Sequence, residues 1–281
     1  MKTYSVDISK EYSLVGNASL DGFYFGTFRD DDVVEKRPTI IVVPGGGYWM
    51  VSRREAEPIA AYFMGKGYNV AILKYSVREE VATKGLSNIS YPTQLLQLCA
   101  SVDFIKKHAD ETHSDVSQLY LVGFSAGGHL VGNFATDYKN VNEKFGKDWD
   151  LQATAVALSY PVISPDFGHV DSYSNLLAEL SDADKQKVLP SLKLDQAVSA
   201  DTLPCFVWTT YEDNCVPAIN SVKFAEACYT KGVPCELHMF LKGWHGLSTC
   251  DELTNAEVQP FMTDVAQWLP MADSFFKKFG K

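Results

Sequence analysis

Residues 119–130 read LYLVGFSAGGHL and set one serine, Ser125, among glycines directly after an apolar run. A helix interior would be weakened by so many glycines, and a plain surface loop has no need of them. The pattern fits a buried strand ending near Gly123, a sharp turn through Ser125 and a helix that starts at once. Such a turn exposes the serine hydroxyl above a sheet, where it can serve as a nucleophile in acyl transfer. A serine hydroxyl attacks poorly until a base takes its proton and a carboxylate holds that base in the right tautomer. Asp213 in TTYEDNCVP (209–217) and His245 in LKGWHGLS (241–248) supply both groups, in the chain order Ser, Asp, His. Among the six histidines, His108 and His113 belong to a polar helix end and loop, His169 to a polar insertion and His238 to an alternating strand. His129 lies four residues beyond Ser125. From there its ring should run alongside the helix, packing or bonding a backbone carbonyl rather than reaching the hydroxyl. Glu212 is a weaker partner than Asp213, because neighbouring positions at a strand end point apart.

Acyl transfer also builds negative charge on the carbonyl oxygen, and backbone N–H groups aimed at that oxygen stabilise the transition state. The stretch PGGGYW (44–49) follows an earlier strand and offers such groups. Gly46 and Gly47, with the N–H of Ala126, are the natural donors. Tyr48 and Trp49 come next, so two large rings are expected beside the acyl carbon. The stretch 164–203 is polar, and Asp166, His169, Asp171, Ser172, Ser174 and Asn175 cluster at its start. Hydroxyl and carboxylate side chains there either suit a sugar-like alcohol group, with His169 a substrate-binding candidate, or solvate a surface loop. A lid for long acyl chains would instead need a broad apolar face. No HExxH or comparable cluster occurs, so neither a metal nor a cofactor is expected.

These groups need elements to hold them. TIIVV (39–43) reads as a short buried strand, and NVAILKYS (69–76), LYLVG, TAVALSYPV (154–162), CFVWTT (205–210) and ELHMFL (236–241) read as further strands. Helical patterns run from Pro58 and from near Pro92, and a last one carries Val258, Phe261, Met262, Val265 and Trp268. Strands alternating with helices predict an α/β architecture, a mostly parallel sheet with helices on both faces. FYFGTF, ahead of residue 38, should add an antiparallel edge. The 164–203 stretch breaks the rhythm and is expected to form a small cap within a single domain spanning 1–281.

The chain has 281 residues, 46% hydrophobic, enough for a large core. Its net charge of −10 disfavours nucleic acid and anionic membrane surfaces. No apolar segment approaches a membrane span or a leader's apolar region, so a soluble, cytoplasmic protein is expected. The six cysteines form no CxxC pair and should be reduced, with Cys99, Cys205 and Cys235 in the core.

Four segments, PGGGYWMVSRREAEPIA, LVGFSAGGHLVG, LPCFVWTTYEDNCVPAINS and ELHMFLKGWHGLS, resemble an α/β-hydrolase. Within that superfamily the chain is similar to the esterase/lipase group that includes acetyl esterases and acetylxylan esterases. The resemblance implies Ser125 as nucleophile, His245 as base, Asp213 as orienting acid and oxyanion donors from Gly46, Gly47 and Ala126. It implies hydrolysis of small acyl esters, with a small-molecule ester as the partner. The related HGGG loop begins with histidine, whereas this one begins with Pro44. Amide cleavage, as in an arylformamidase or peptidase-like relative, and a non-catalytic small-molecule binder are the alternatives. Such binders usually lack one of the three residues, all of which are present here.

Overall fold

The computed structural model describes residues 1–26 and 35–280. Eight strands build one sheet: β1 (Lys2–Asp7), β2 (Ser19–Tyr24), β3 (Arg37–Val43), β4 (Asn69–Lys74), β5 (Ser114–Phe124), β6 (Ala155–Ser159), β7 (Cys205–Thr210) and β8 (Cys235–Phe240). Their order is β1-β2-β4-β3-β5-β6-β7-β8. From β4 to β8 every pairing is parallel, while β2 runs antiparallel to both β1 and β4. The expected antiparallel edge is therefore present, although Thr27 and Phe28 of FYFGTF lie outside the described residues.

The helices in chain order are α1 (Ile8–Glu11), α2 (Glu57–Gly65), α3 (Arg78–Lys84), α4 (Thr93–Lys107), α5 (Ala126–Phe145), α6 (Asp171–Leu176), α7 (Asp182–Leu192), α8 (Leu194–Ala197), α9 (Ile219–Lys231), α10 (Met262–Val265) and α11 (Trp268–Phe279). Side chains alternate across each strand, so both faces of the sheet are apolar and need cover. Ile41, Val43, Leu121, Leu158 and Val207 pack against α4, α5 and α9. Ile40, Val42, Val122, Phe124 and Trp208 pack against α2 and α11.

The last helical pattern departs from expectation. Val258 is exposed, α10 is a four-residue turn, and the long final helix begins only at Trp268. Pro270 accounts for the break. It has no N–H to give to the Ala266 carbonyl, so the helix restarts with Pro270 in its first turn, where that donor is not needed.

The described residues 164–203 contain no strand. They make one 3₁₀ turn (Pro165–Phe167) and then α6, α7 and α8. This segment is fastened to the rest of the chain. Asn175 Nδ2 donates to the Gly47 carbonyl (2.9 Å), the Tyr91 N–H donates to the Leu176 carbonyl (2.9 Å), and the Leu194 N–H donates to the Ile163 carbonyl (2.9 Å).

Candidate active site

Ser125 occupies the one-residue turn between β5 and α5, with φ 53° and ψ −118°. A non-glycine residue in that region is strained, and such strain is held only where its surroundings over-determine it. The neighbouring glycines supply that constraint. A Cβ on Gly127 would come within 2.2 Å of the Val43 carbonyl oxygen, and one on Gly123 within 2.4 Å of the Gly127 oxygen. The start of α5 therefore lies directly on the ends of β3 and β5, and only glycine permits that approach.

The three residues singled out in sequence converge. His245 Nε2 lies 2.8 Å from Ser125 Oγ, and His245 Nδ1 lies 2.7 Å from Asp213 Oδ2. The carboxylate can only accept, so the ring proton sits on Nδ1 and the Nε2 lone pair faces the serine hydroxyl. The Asp213 side chain is fully buried. Its other oxygen, Oδ1, accepts the backbone N–H groups of Cys215 (3.0 Å) and Val216 (2.9 Å), which fixes which oxygen meets the ring. Glu212 turns away, and among the described residues its carboxylate accepts only the Gly243 N–H, at 3.4 Å. The Tyr160 ring stands edge-on to His245 at 4.9 Å and limits its rotation.

The glycine loop has the geometry that donors require. The Gly45 carbonyl accepts from Ser52 N–H, and the Gly46 carbonyl accepts from Trp49 and Met50 N–H. In a trans peptide the N–H points opposite its carbonyl, so these bonds turn the Gly46 and Gly47 N–H groups out of the loop. Gly46 at φ 119° and Gly47 at φ 64° adopt conformations that favour glycine. No hydrogen bond among the described residues uses the N–H of Gly46, Gly47 or Ala126.

A cleft of ≈ 680 Å³ opens over Ser125. Gly46, Gly47, Trp49, Met50 and Arg53 line it, together with His169, Asp171, Asn175 and Cys215. Half-exposed Trp49 stands in it as expected. Tyr48 does not. The turn gives Tyr48 a φ of 56° and swings its ring inward, where it is 1% exposed and donates its hydroxyl to His129 Nδ1 (2.8 Å). One ring, not two, narrows the cleft. Of the polar cluster, Asp166 pairs with Lys193 and Ser174 bonds the Val170 carbonyl, so both spend their polarity away from the cleft. Ser172 is buried beside Gly47.

His169 stacks at 6.4 Å from His245, with its Nδ1 3.6 Å from Cys215 Sγ. Burial, and then the nearby His245, push the His169 imidazole below its usual range. Sequence reading missed Cys215, which sits two residues after Asp213 and gave no motif. It also missed Met50, Ser52, Arg53, Arg54 and Glu55, which only the fold of the loop carries to the rim.

His129 behaves as its position implied. Its Nε2–H donates to the Leu192 carbonyl (2.9 Å), leaving Nδ1 to accept from Tyr48. Burial pushes this imidazole down from 6.5 to about 4, against the weaker opposing effect of the Leu192 bond. The unfolded chain thus binds the extra proton first. Stability should be complete above about pH 6.5 and fall as the pH drops toward 4, by about 3 kcal/mol in all. Urea titrations at pH 7 and pH 5 check this. The loss between them should shrink in His129→Gln, which keeps a donor for Leu192, and equal losses would contradict the assignment.

The BD-FAE family pattern matches residues 28–228. The chain belongs to the BD-FAE family. It is 33% identical over 231 residues to endo-1,4-beta-xylanase B of Butyrivibrio fibrisolvens, covering 81% of this chain and 35% of the xylanase. The chain thus spans about a third of that relative's length. Among solved structures it is similar to a carboxylesterase from Lactobacillus plantarum, with a TM-score of 0.83, 26% identity, and 99% of this chain and 98% of that one covered. It is also similar to an acetyl ester-xyloside bifunctional hydrolase from Caldicellulosiruptor lactoaceticus, with a TM-score of 0.80, 26% identity, and 99% and 96% covered. The fold of this BD-FAE chain is that of an α/β-hydrolase. No described helix is long and apolar enough to cross a membrane.

Proposed function

We propose that the protein is a serine ester hydrolase that removes acetyl and other short acyl groups from small alcohols, carbohydrates among them. The reading rests on the unbroken chain Ser125 Oγ–His245 Nε2 and His245 Nδ1–Asp213 Oδ2, at 2.8 and 2.7 Å. In this mechanism Ser125 Oγ attacks the ester carbonyl as its proton passes to His245 Nε2. Asp213 steadies the imidazolium that forms, and the N–H groups of Gly46, Gly47 and Ala126 receive the developing oxyanion. His245 then protonates the departing alcohol, leaving an acyl group on Ser125. A water, deprotonated by the same imidazole, releases the acid.

Two features favour a short acyl group and a polar alcohol. Half-exposed Trp49 stands in the cleft beside the oxyanion loop and narrows it, while the rings of Tyr48, His129 and Tyr173 pack against one another in the interior. His169 and Asp171 place hydrogen-bonding groups in the cleft, and Asn175 joins them beside Gly47. A site built on such bonds discriminates against alcohols that lack them. The acetyl ester-xyloside hydrolase and carboxylesterase relatives are in keeping with this substrate class.

A series of p-nitrophenyl esters from acetyl to decanoyl is the test. Rates are expected to be highest for acetyl and propionyl, and acetylated xylose should be deacetylated. A maximum at eight carbons or beyond would overturn the short-acyl reading.

A further inference from the structure

Glu55 is buried, 3% exposed, yet pairs with no Lys, Arg or His among the described residues. Removing a carboxylate from water is costly, and an apolar or amide side chain would fill the same space more cheaply. What distinguishes the carboxylate is the set of groups around it. Oε2 accepts the N–H of Gly45 at 2.8 Å, and Oε1 accepts the hydroxyl of Tyr160 at 2.8 Å. Both neighbours donate, and only a carboxylate offers an acceptor to each.

Tyr160 carries the connection onward. Its oxygen also accepts the N–H of Ser248 at 3.2 Å, three residues beyond His245. The Ser248 hydroxyl returns to the carbonyl of Arg54, next to Glu55, and the Ser248 carbonyl accepts the Trp268 indole N–H at 2.9 Å. The bonds therefore close a ring between the 3₁₀ turn at Arg53–Glu55 and the loop that bears His245. Tyr160 (φ 36°) and Ser248 (φ 53°) both adopt left-handed backbone, a strain that side-chain-bearing residues keep only where the surroundings enforce it. The Glu55 carboxylate also reaches the nucleophile's surroundings. A Cβ on Gly45 would lie 2.9 Å from both Glu55 Oε2 and Ser125 Cβ. Burial first, and then Glu55, raise the Tyr160 hydroxyl well above its ordinary value, in keeping with its role as a donor.

We infer that Glu55 and Tyr160 are positioning residues that lock the oxyanion loop and the His245 loop into one frame. The inference rests on the serine-hydrolase reading above. Neither group touches the reacting atoms: Glu55 acts through Gly45, and Tyr160 through Ser248 and the face of His245. If the frame loosens, substrate should still bind, but the donors and the base no longer meet the transition state together.

The experiment is steady-state kinetics on p-nitrophenyl acetate for Glu55→Gln, Tyr160→Phe and the double variant, with thermal melts of each. In Glu55→Gln the amide must set its NH₂ against one of two donors. Each single variant is expected to lose about 10- to 100-fold in kcat with KM nearly unchanged, the size of effect a small misplacement brings. The double variant should lose little more than the worse single, because both break one ring of bonds. Folded variants with wild-type kcat, losses confined to KM, or fully additive losses would each overturn the inference. Tyr160→Phe keeps the ring's packing and decides the matter if Glu55→Gln does not fold. A wild-type protein without esterase turnover would instead overturn the serine-hydrolase reading itself.

Discussion

Ser125→Ala and His245→Ala should each lower kcat/KM for p-nitrophenyl acetate by roughly 10⁵-fold or more, leaving only what binding and the oxyanion donors supply. The expectation follows from the geometry of a single proton path. Ser125 Oγ has His245 Nε2 as its partner at 2.8 Å, and among the described residues no other side chain hydrogen-bonds to it; His129 is committed at both nitrogens, to Tyr48 and to the Leu192 carbonyl. Groups that act as a unit are not additive, so the double variant should be no worse than either single. Steady-state kinetics on proteins with matching circular dichroism check the point. Activity lost in His129→Ala but kept in His245→Ala would mean that the base has been misassigned.

Asp213→Asn should lower kcat by up to ~10⁴-fold while leaving the fold intact. Two backbone donors, Cys215 N–H and Val216 N–H, converge on Oδ1. They would hold the amide oxygen of the variant in that place and turn its NH₂ toward His245 Nδ1. The imidazole would then carry its proton on Nε2, facing Ser125 with a donor where an acceptor is needed. Because the change is one of tautomer, KM should move far less than kcat. A variant with near wild-type kcat would show that His245 does not depend on this carboxylate for its orientation.

The strand-turn-helix around Ser125 was legible because its causes are local. An apolar run, glycines at two close approaches and an immediate helical pattern are all printed within a dozen residues. Asp213 and His245 were legible for a similar reason, each lying just past a short strand that is readable in the sequence. Tyr48 was misread because sequence adjacency to the oxyanion glycines says nothing about which way a turn with φ 56° throws its ring. The extended final helix was misread because helical spacing of apolar residues outweighed Pro270, which splits it into α10 and α11. Glu55 and Tyr160 could not be paired at all. They are 105 positions apart, and their bond exists only because the glycine loop folds back beneath the ends of β3 and β6. In the sequence Glu55 is one of several charges in RREAE (53–57). Its burial is a property of the assembled sheet, and no local pattern carries it.

The central claim is that Ser125 is the activated nucleophile. A fluorophosphonate probe, followed by peptide mapping, tests it most directly, since stable reaction with this reagent requires both a primed serine and donors for the phosphoryl oxygen. One label per chain is expected, on the peptide containing GFSAGG, lost in Ser125→Ala and strongly slowed in His245→Ala. No labelling of the folded wild-type protein, or a label on any other residue, would contradict the account.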